Sequence, residues 1–166
     1  MKPTYIVERV TNINLEDLKN DNIKGLIFDL DNTLMPPKSG VYPEDIANWL
    51  ESLKGEFKIA ILSNNKEKKY VQDAGEKAGC IAYESAQKPR RKAALNALKD
   101  LDLMPEQVAM IGDRPLTDIL VGQRLGLVTI LVDPIMKKEE IIIVKFLRKL
   151  ERIFISKASK DFTDKV

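Results

Sequence analysis

An α/β fold, with one mainly parallel five-stranded sheet between two layers of helices, follows from three features of the sequence. Short apolar runs alternate with longer segments of helical period. Gly and Pro residues stand at the joints between them. Strands separated in this way by helices require right-handed crossovers, which build a parallel sheet covered on both faces. The expected architecture is a Rossmann-like three-layer αβα sandwich made by a single domain over residues 1–166.

Each element has its own signal. Residues 1–22 are polar, and "INLEDLKNDNIKG" reads as a short helix capped by Asn14. "KGLIFDL" (24–30) is apolar at nearly every position up to Asp29, as a strand buried on both faces must be. "MPPKSGVYPED" is loop chemistry, and Ile46, Leu50 and Leu53 then recur at helical spacing beside Trp49. The second strand is "FKIAILS" (57–63), followed by a helix over 66–79 that stops at Gly79. "CIAYES" is a short third strand, and "RRKAALNALKDLDL" a helix. "QVAMIGD" (107–113) is the fourth strand, "PLTDILVGQRLG" a helix ended by Gly126, and "LVTILVD" the fifth strand.

Composition removes several chemistries. With 27 basic and 25 acidic residues the net charge is +2, which argues against nucleic-acid binding by charge alone. The absence of histidine excludes Ser-His and Cys-His catalysis and His-containing zinc sites. Cys80 cannot form a disulfide within the chain, and Ala86 stands where a thiol phosphatase would need arginine. It is expected to be a small core residue. The N-terminal residues do not resemble a signal peptide, and no apolar run reaches transmembrane length. The expected location is cytoplasmic.

In a parallel sheet, ligands bind beyond the carboxyl ends of the strands. Those positions hold Asp29 and Asp31, then Ser63, Asn64 and Asn65, then Lys88, then Asp113 and Asp118. Two carboxylates as close as Asp29 and Asp31 repel, and a hard divalent cation such as Mg2+ relieves this, with Asp113 as a third acidic group. A carboxylate can attack phosphorus to form an aspartyl phosphate, and a second can exchange the protons that histidine handles elsewhere. The Ser63 hydroxyl and the backbone N–H groups after it can hold phosphate oxygens, although Ser-Asn-Asn is also ordinary turn chemistry. Lys88, before Pro89, can point into the crevice or remain a solvated charge. Asp118 can serve as a helix cap, which leaves Asp113 at the strand end unexplained.

The order "DLDNTL", "LSNN", "QKPRRKA", "GDRPLTD" resembles the four motifs of the haloacid-dehalogenase (HAD) superfamily of phosphohydrolases, over residues 24–133. The resemblance implies that Asp29 is the nucleophile and Asp31 the general acid/base, while Ser63, Asn64 and Lys88 bind phosphate. It implies Mg2+ held by the Asp29 carboxylate, the Asp31 backbone carbonyl and Asp113, with Asp118 orienting Lys88 or a metal-bound water. The leader, "IKGLIFDLDNTL" and "GDRPLTDILVGQRLGLVTILV" further resemble the subfamily IIIA branch of phosphatidylglycerophosphate phosphatases. That branch implies a phosphorylated lipid headgroup as substrate.

About 28 residues separate "DNTL" from "LSNN" and about 22 separate "SNN" from Lys88, so βαβ connections fill both intervals and the site is expected to be capless. "KKEEIIIVKFLRKLERIFISK" reads as an amphipathic helix over about 137–156 with basic flanks. It either packs on the sheet or a partner chain, or lies on the inner face of an anionic membrane as a peripheral contact. Arg90, Arg91 and Arg114 are candidates for a second anionic contact or solvated surface charges. The alternatives are a phosphatase of a soluble sugar or nucleotide phosphate and a phospho-accepting receiver domain. A receiver puts its acceptor aspartate on the third strand, and "CIAYES" has none. The oligomeric state stays open.

Overall fold

Six parallel strands form one sheet in the computed structural model, which describes residues 2–136. They are β1 (Tyr5–Val7), β2 (Gly25–Phe28), β3 (Lys58–Leu62), β4 (Ile81–Tyr83), β5 (Val108–Gly112) and β6 (Val128–Val132), in the spatial order β1-β6-β5-β2-β3-β4. The helices are α1 (Leu15–Asn20), α2 (Glu44–Leu53), α3 (Lys68–Ala78), α4 (Lys92–Leu101) and α5 (Leu120–Leu125), the last preceded by a π-helical turn at Pro115–Ile119. Residues 3–136 form one compact unit. The amphipathic helix expected over 137–156 lies outside the described residues.

The expected strand count of five is corrected to six. Tyr5–Val7 adds an edge strand beside β6, with Tyr5 opposite Ile130 and Val7 opposite Val132. Three residues are too few to display a period, and the partner of this strand lies some 125 positions away, as the Thr4 N–H donating to the Thr129 hydroxyl at 3.1 Å records. Sequence neighbours carry no sign of such a pairing.

The uninterrupted apolar strands are explained by the two cores. Leu26, Phe28, Ile61 and Ile111 face one side with Leu50 of α2 and Val71 of α3. Ile27, Ala60, Leu62 and Met110 face the other with Leu98 of α4 and Val121 of α5. Alternate residues of each strand thus enter opposite layers. Phe28 meets Trp49 edge-on, with ring centroids 5.8 Å apart, which ties β2 to α2. Cys80 is half-buried against the first core, as a small core residue, and burial pushes its thiol up to about 11.

The Asn14 side chain accepts N–H bonds from Glu16 and Asp17, capping α1. Gly79 ends α3 in the left-handed conformation, at φ 68°. A single helix, α2, lies between β2 and β3, and α3 alone lies between β3 and β4. Among the described residues, therefore, no cap covers the carboxyl edge of the sheet.

Candidate active site

β2 sits at the centre of the sheet, between β5 and β3, so its carboxyl end opens into the middle of the crevice. Beyond the last paired residue, Phe28, the Asp29 N–H still donates to the Ile111 carbonyl at 2.9 Å. The chain then turns sharply. The N–H groups of Leu34 and Met35 bond to the Leu30 carbonyl, Asn32 takes φ 68°, and Asp31 bridges Met35. This turn sends the two aspartates into different surroundings.

Asp29 is 8% exposed, and its Oδ1 accepts from Lys88 Nζ at 2.7 Å. Its Oδ2 accepts from the Thr33 hydroxyl at 3.4 Å. Lys88 Nζ also lies 2.7 Å from Asp118 Oδ1, so one buried cation serves two buried carboxylates. Burial pushes Asp29 up to about 6, against the pull of Lys88 and with Asp118 adding to the rise. For Lys88, burial favours the neutral amine, but Asp118 and Asp29 together outweigh it and hold the ammonium above its ordinary range.

Lys88 reaches this position because its backbone is clamped. Its N–H donates to Asn64 Oδ1 at 2.7 Å and its carbonyl accepts from Asn64 Nδ2 at 3.2 Å, ahead of the cis Lys88–Pro89 bond. The Asn64 side chain is thus engaged in holding the lysine, while the group expected at the phosphate is its backbone N–H. Ser63 is buried at the end of β3 and accepts from the Asn65 N–H at 3.1 Å.

Asp113 follows β5, and Asp118 folds back over the strand end, where its Oδ2 accepts from the Arg114 N–H at 3.0 Å. Gly112 is what allows this. A Cβ there would lie 2.4 Å from the Asp118 carboxylate, so only glycine permits the approach. Carboxylate oxygens of Asp29, Asp113 and Asp118 all come within 4.8 Å of one another. An oxygen-only, anionic donor set of this kind suits a hard divalent cation. Asp118, expected to orient Lys88 or a metal-bound water, lies against Lys88 and is also a member of the acidic cluster.

The Asp31 carboxylate lies outside that cluster, and its expected metal contact was the backbone carbonyl. Its Oδ1 accepts from the Tyr70 hydroxyl at 2.8 Å and the Lys38 N–H at 3.3 Å, and its Oδ2 from Asn65 Nδ2 at 3.2 Å. Burial and this bond push the Tyr70 phenol above its ordinary range. Tyr70, Asn65 and Thr33 are site residues without an assigned role in the sequence reading. The one available signal was a lone tyrosine in the lysine-rich start of α3, "KEKKYVQ".

A buried carboxylate paired with lysine at the centre of an open parallel sheet, inside an acidic cluster and beside a separately held aspartate, defines a phosphoric monoester hydrolase of the HAD superfamily. Residues 1–136 match the family described as mitochondrial PGP phosphatase, and the chain belongs to that family. It is 37% identical over 155 residues to "Probable phosphatase YqeG" of Bacillus subtilis (strain 168), covering 93% of this chain and 89% of that protein. It is 32% identical to the chloroplastic/mitochondrial phosphatidylglycerophosphate phosphatase 1 of Arabidopsis thaliana, over 90% of this chain but 45% of that protein. In fold it is similar to a predicted HAD-like family hydrolase from Porphyromonas gingivalis, with a TM-score of 0.56 at 17% identity, over 76% of this chain and 98% of that one.

Proposed function

We propose that this protein is a Mg2+-dependent phosphatase that works through an aspartyl phosphate on Asp29, converting phosphatidylglycerophosphate to phosphatidylglycerol. The observation that carries the mechanism is the Asp29–Lys88–Asp118 ionic cluster at 2.7 Å contacts, with Asp31 held apart from it by Tyr70 and Asn65. The substrate reading is supported by the family, by the Arabidopsis relative's name and by a mouth that no cap restricts among the described residues.

Asp29 attacks phosphorus, forming the acyl-phosphate bond as the ester P–O bond breaks. Lys88, with the Ser63 hydroxyl and the Asn64 N–H, holds the phosphate oxygens. Asp31 gives its proton to the leaving alkoxide, then takes a proton from the water that attacks phosphorus in the second step. Inorganic phosphate leaves and the Asp29 carboxylate is restored. The oxygen-only acidic cluster fits Mg2+, which the carboxylates of Asp29 and Asp113 and the Asp31 backbone carbonyl would hold, with Asp118 in support; the ion would offset the negative charge gathered around the phosphate. All of this machinery lies within Pro3–Met136.

The direct test is a phosphate-release screen that sets phosphatidylglycerophosphate in mixed micelles beside soluble sugar and nucleotide phosphates. The expected result is the highest kcat/KM on the lipid. Release from soluble phosphoesters with none from the lipid would replace the lipid reading by the soluble one. Chelation should silence all activity and added Mg2+ restore it, whereas undiminished rates after chelation would remove the metal.

A further inference from the structure

The two edges of the sheet differ in charge, although both expose apolar side chains: Met104, before β5 at the opposite edge, is 60% exposed. At the carboxyl edge, the connections that leave β2, β3, β4 and β5 expose Lys38, Lys66, Arg90, Arg91 and Arg114 against the single exposed acid Glu67. At the opposite edge, the connections entering β2, β3 and β5 expose Asp21, Glu56, Asp102 and Glu106 against Lys24 and Lys54. The basic edge is the one that carries the catalytic mouth.

Among the large apolar side chains exposed at that same edge, two stand out furthest. Val41, in the loop between β2 and α2, is 64% exposed, and Leu116, in the π-helical turn after β5, is 58% exposed. Val41 precedes α2, which packs in the first core, and Leu116 precedes α5, which packs in the second. The loop under Val41 is fixed in place: Tyr42 donates to the Ala74 carbonyl at 2.8 Å and Lys77 to the Gly40 carbonyl at 2.7 Å. Exposed apolar tips on anchored loops, ringed by cations, match a surface that is anionic outside and apolar just beneath.

We infer that the carboxyl edge of the sheet is the face on which this protein docks to an anionic lipid bilayer, with Val41 and Leu116 entering the headgroup layer. The inference rests on the proposed lipid substrate, and it gives Arg90, Arg91 and Arg114 a partner, the phosphates of neighbouring lipids. It also makes membrane contact a property of the catalytic unit itself. A phosphate carried on a lipid headgroup would then meet Asp29 and Lys88 without leaving the bilayer.

The test uses the full chain and its Val41→Glu/Leu116→Glu variant, with sedimentation on vesicles of phosphatidylcholine alone or mixed with phosphatidylglycerol. Wild-type protein should bind the mixed vesicles, and more weakly as salt rises. The variant should bind them about tenfold or more weakly. It should hydrolyse p-nitrophenyl phosphate at the wild-type rate, since both side chains are largely exposed to solvent. Equal binding by variant and wild type, or equal binding of wild type to neutral and anionic vesicles, would overturn the docking face. Binding is read without turnover, so a wild type that docks but leaves phosphatidylglycerophosphate intact would overturn the substrate and spare the docking face. A gentler pair, Val41→Ser and Leu116→Ser, should show the same loss in smaller measure. Loss of p-nitrophenyl phosphate hydrolysis by this pair as well would mean that the two residues belong to the site, contradicting the inference.

Discussion

Asp29 and Asp31 are the same residue type two positions apart, yet they occupy opposite environments. Asp29 is buried, paired with a buried lysine and raised to about 6 by its burial. Asp31 is half-buried and receives three neutral donors, from Tyr70, Asn65 and the Lys38 backbone. The difference arises from the turn at residues 30–35, which holds one carboxylate over the sheet and hands the other to the start of α3. In the proposed mechanism, environment rather than residue type divides the labour, with Asp29 attacking and Asp31 carrying protons.

If that division is right, substitutions on the two sides should differ in kind. The largest effects belong to the buried side. Asp29→Asn should abolish phosphate release from every phosphomonoester while the circular dichroism of the fold is retained; full activity would remove Asp29 as nucleophile. Lys88→Met should also abolish activity, and it leaves Asp29 and Asp118 buried without their shared cation. Its unfolding free energy should fall by about 3–5 kcal/mol in urea, with partial recovery when Mg2+ is added. A Lys88→Met protein as stable as wild type would contradict the ionic cluster.

On the other side, Asp31→Asn should lower kcat on alkyl phosphates by about 10² to 10⁴-fold, with little change in stability. Tyr70→Phe comes next, since Asn65 and the Lys38 N–H still hold Asp31. It should cost about tenfold on alkyl phosphates, the scale of one hydrogen bond to a charged group, and less on p-nitrophenyl phosphate, where only the second step needs Asp31. Unchanged rates on both substrates would remove Tyr70 from the proton-carrying side.

The smallest effect is on the pH dependence of stability. Folding raises Asp29 from its ordinary value of 3.8 to about 6, so in that window the folded chain binds more protons than the unfolded one. The contribution of this group is fully present below 3.8 and declines as pH rises towards 6. In chelator, the melting temperature of Asp29→Asn should therefore gain on that of wild type across this window. A constant difference would show that burial leaves Asp29 unshifted.

The same contrast marks what could be read from the sequence. The strands were legible because a parallel sheet buried on both faces leaves continuous apolar runs, as in "GLIF" and "VAMIG". Asp29, Ser63, Lys88 and Asp113 were legible as polar residues at the ends of such runs. β1 was not, being three residues long and paired with the far end of the chain. The place of Asp118 in the acidic cluster depends on the missing Cβ of Gly112, which only the folded loop reveals. Tyr70 and the Asn64 clamp were hidden for a related reason. Their partners, Asp31 and the Lys88 backbone, lie 39 and 24 positions away, and no local pattern announces a contact of that kind.

The central claim, one aspartate attacking and the other exchanging protons, is tested most directly by trapping the intermediate. Asp31→Asn mixed with p-nitrophenyl phosphate and Mg2+ should form the phosphoenzyme, because the first step then needs no acid, and should fail to discharge it, because the second step lacks its base. Mass spectrometry of the quenched protein should find a hydroxylamine-labile phosphate on Asp29 and near-complete occupancy of the chain. No trapped phosphate, or phosphate on Asp113, Asp118 or Ser63 instead, would contradict the account.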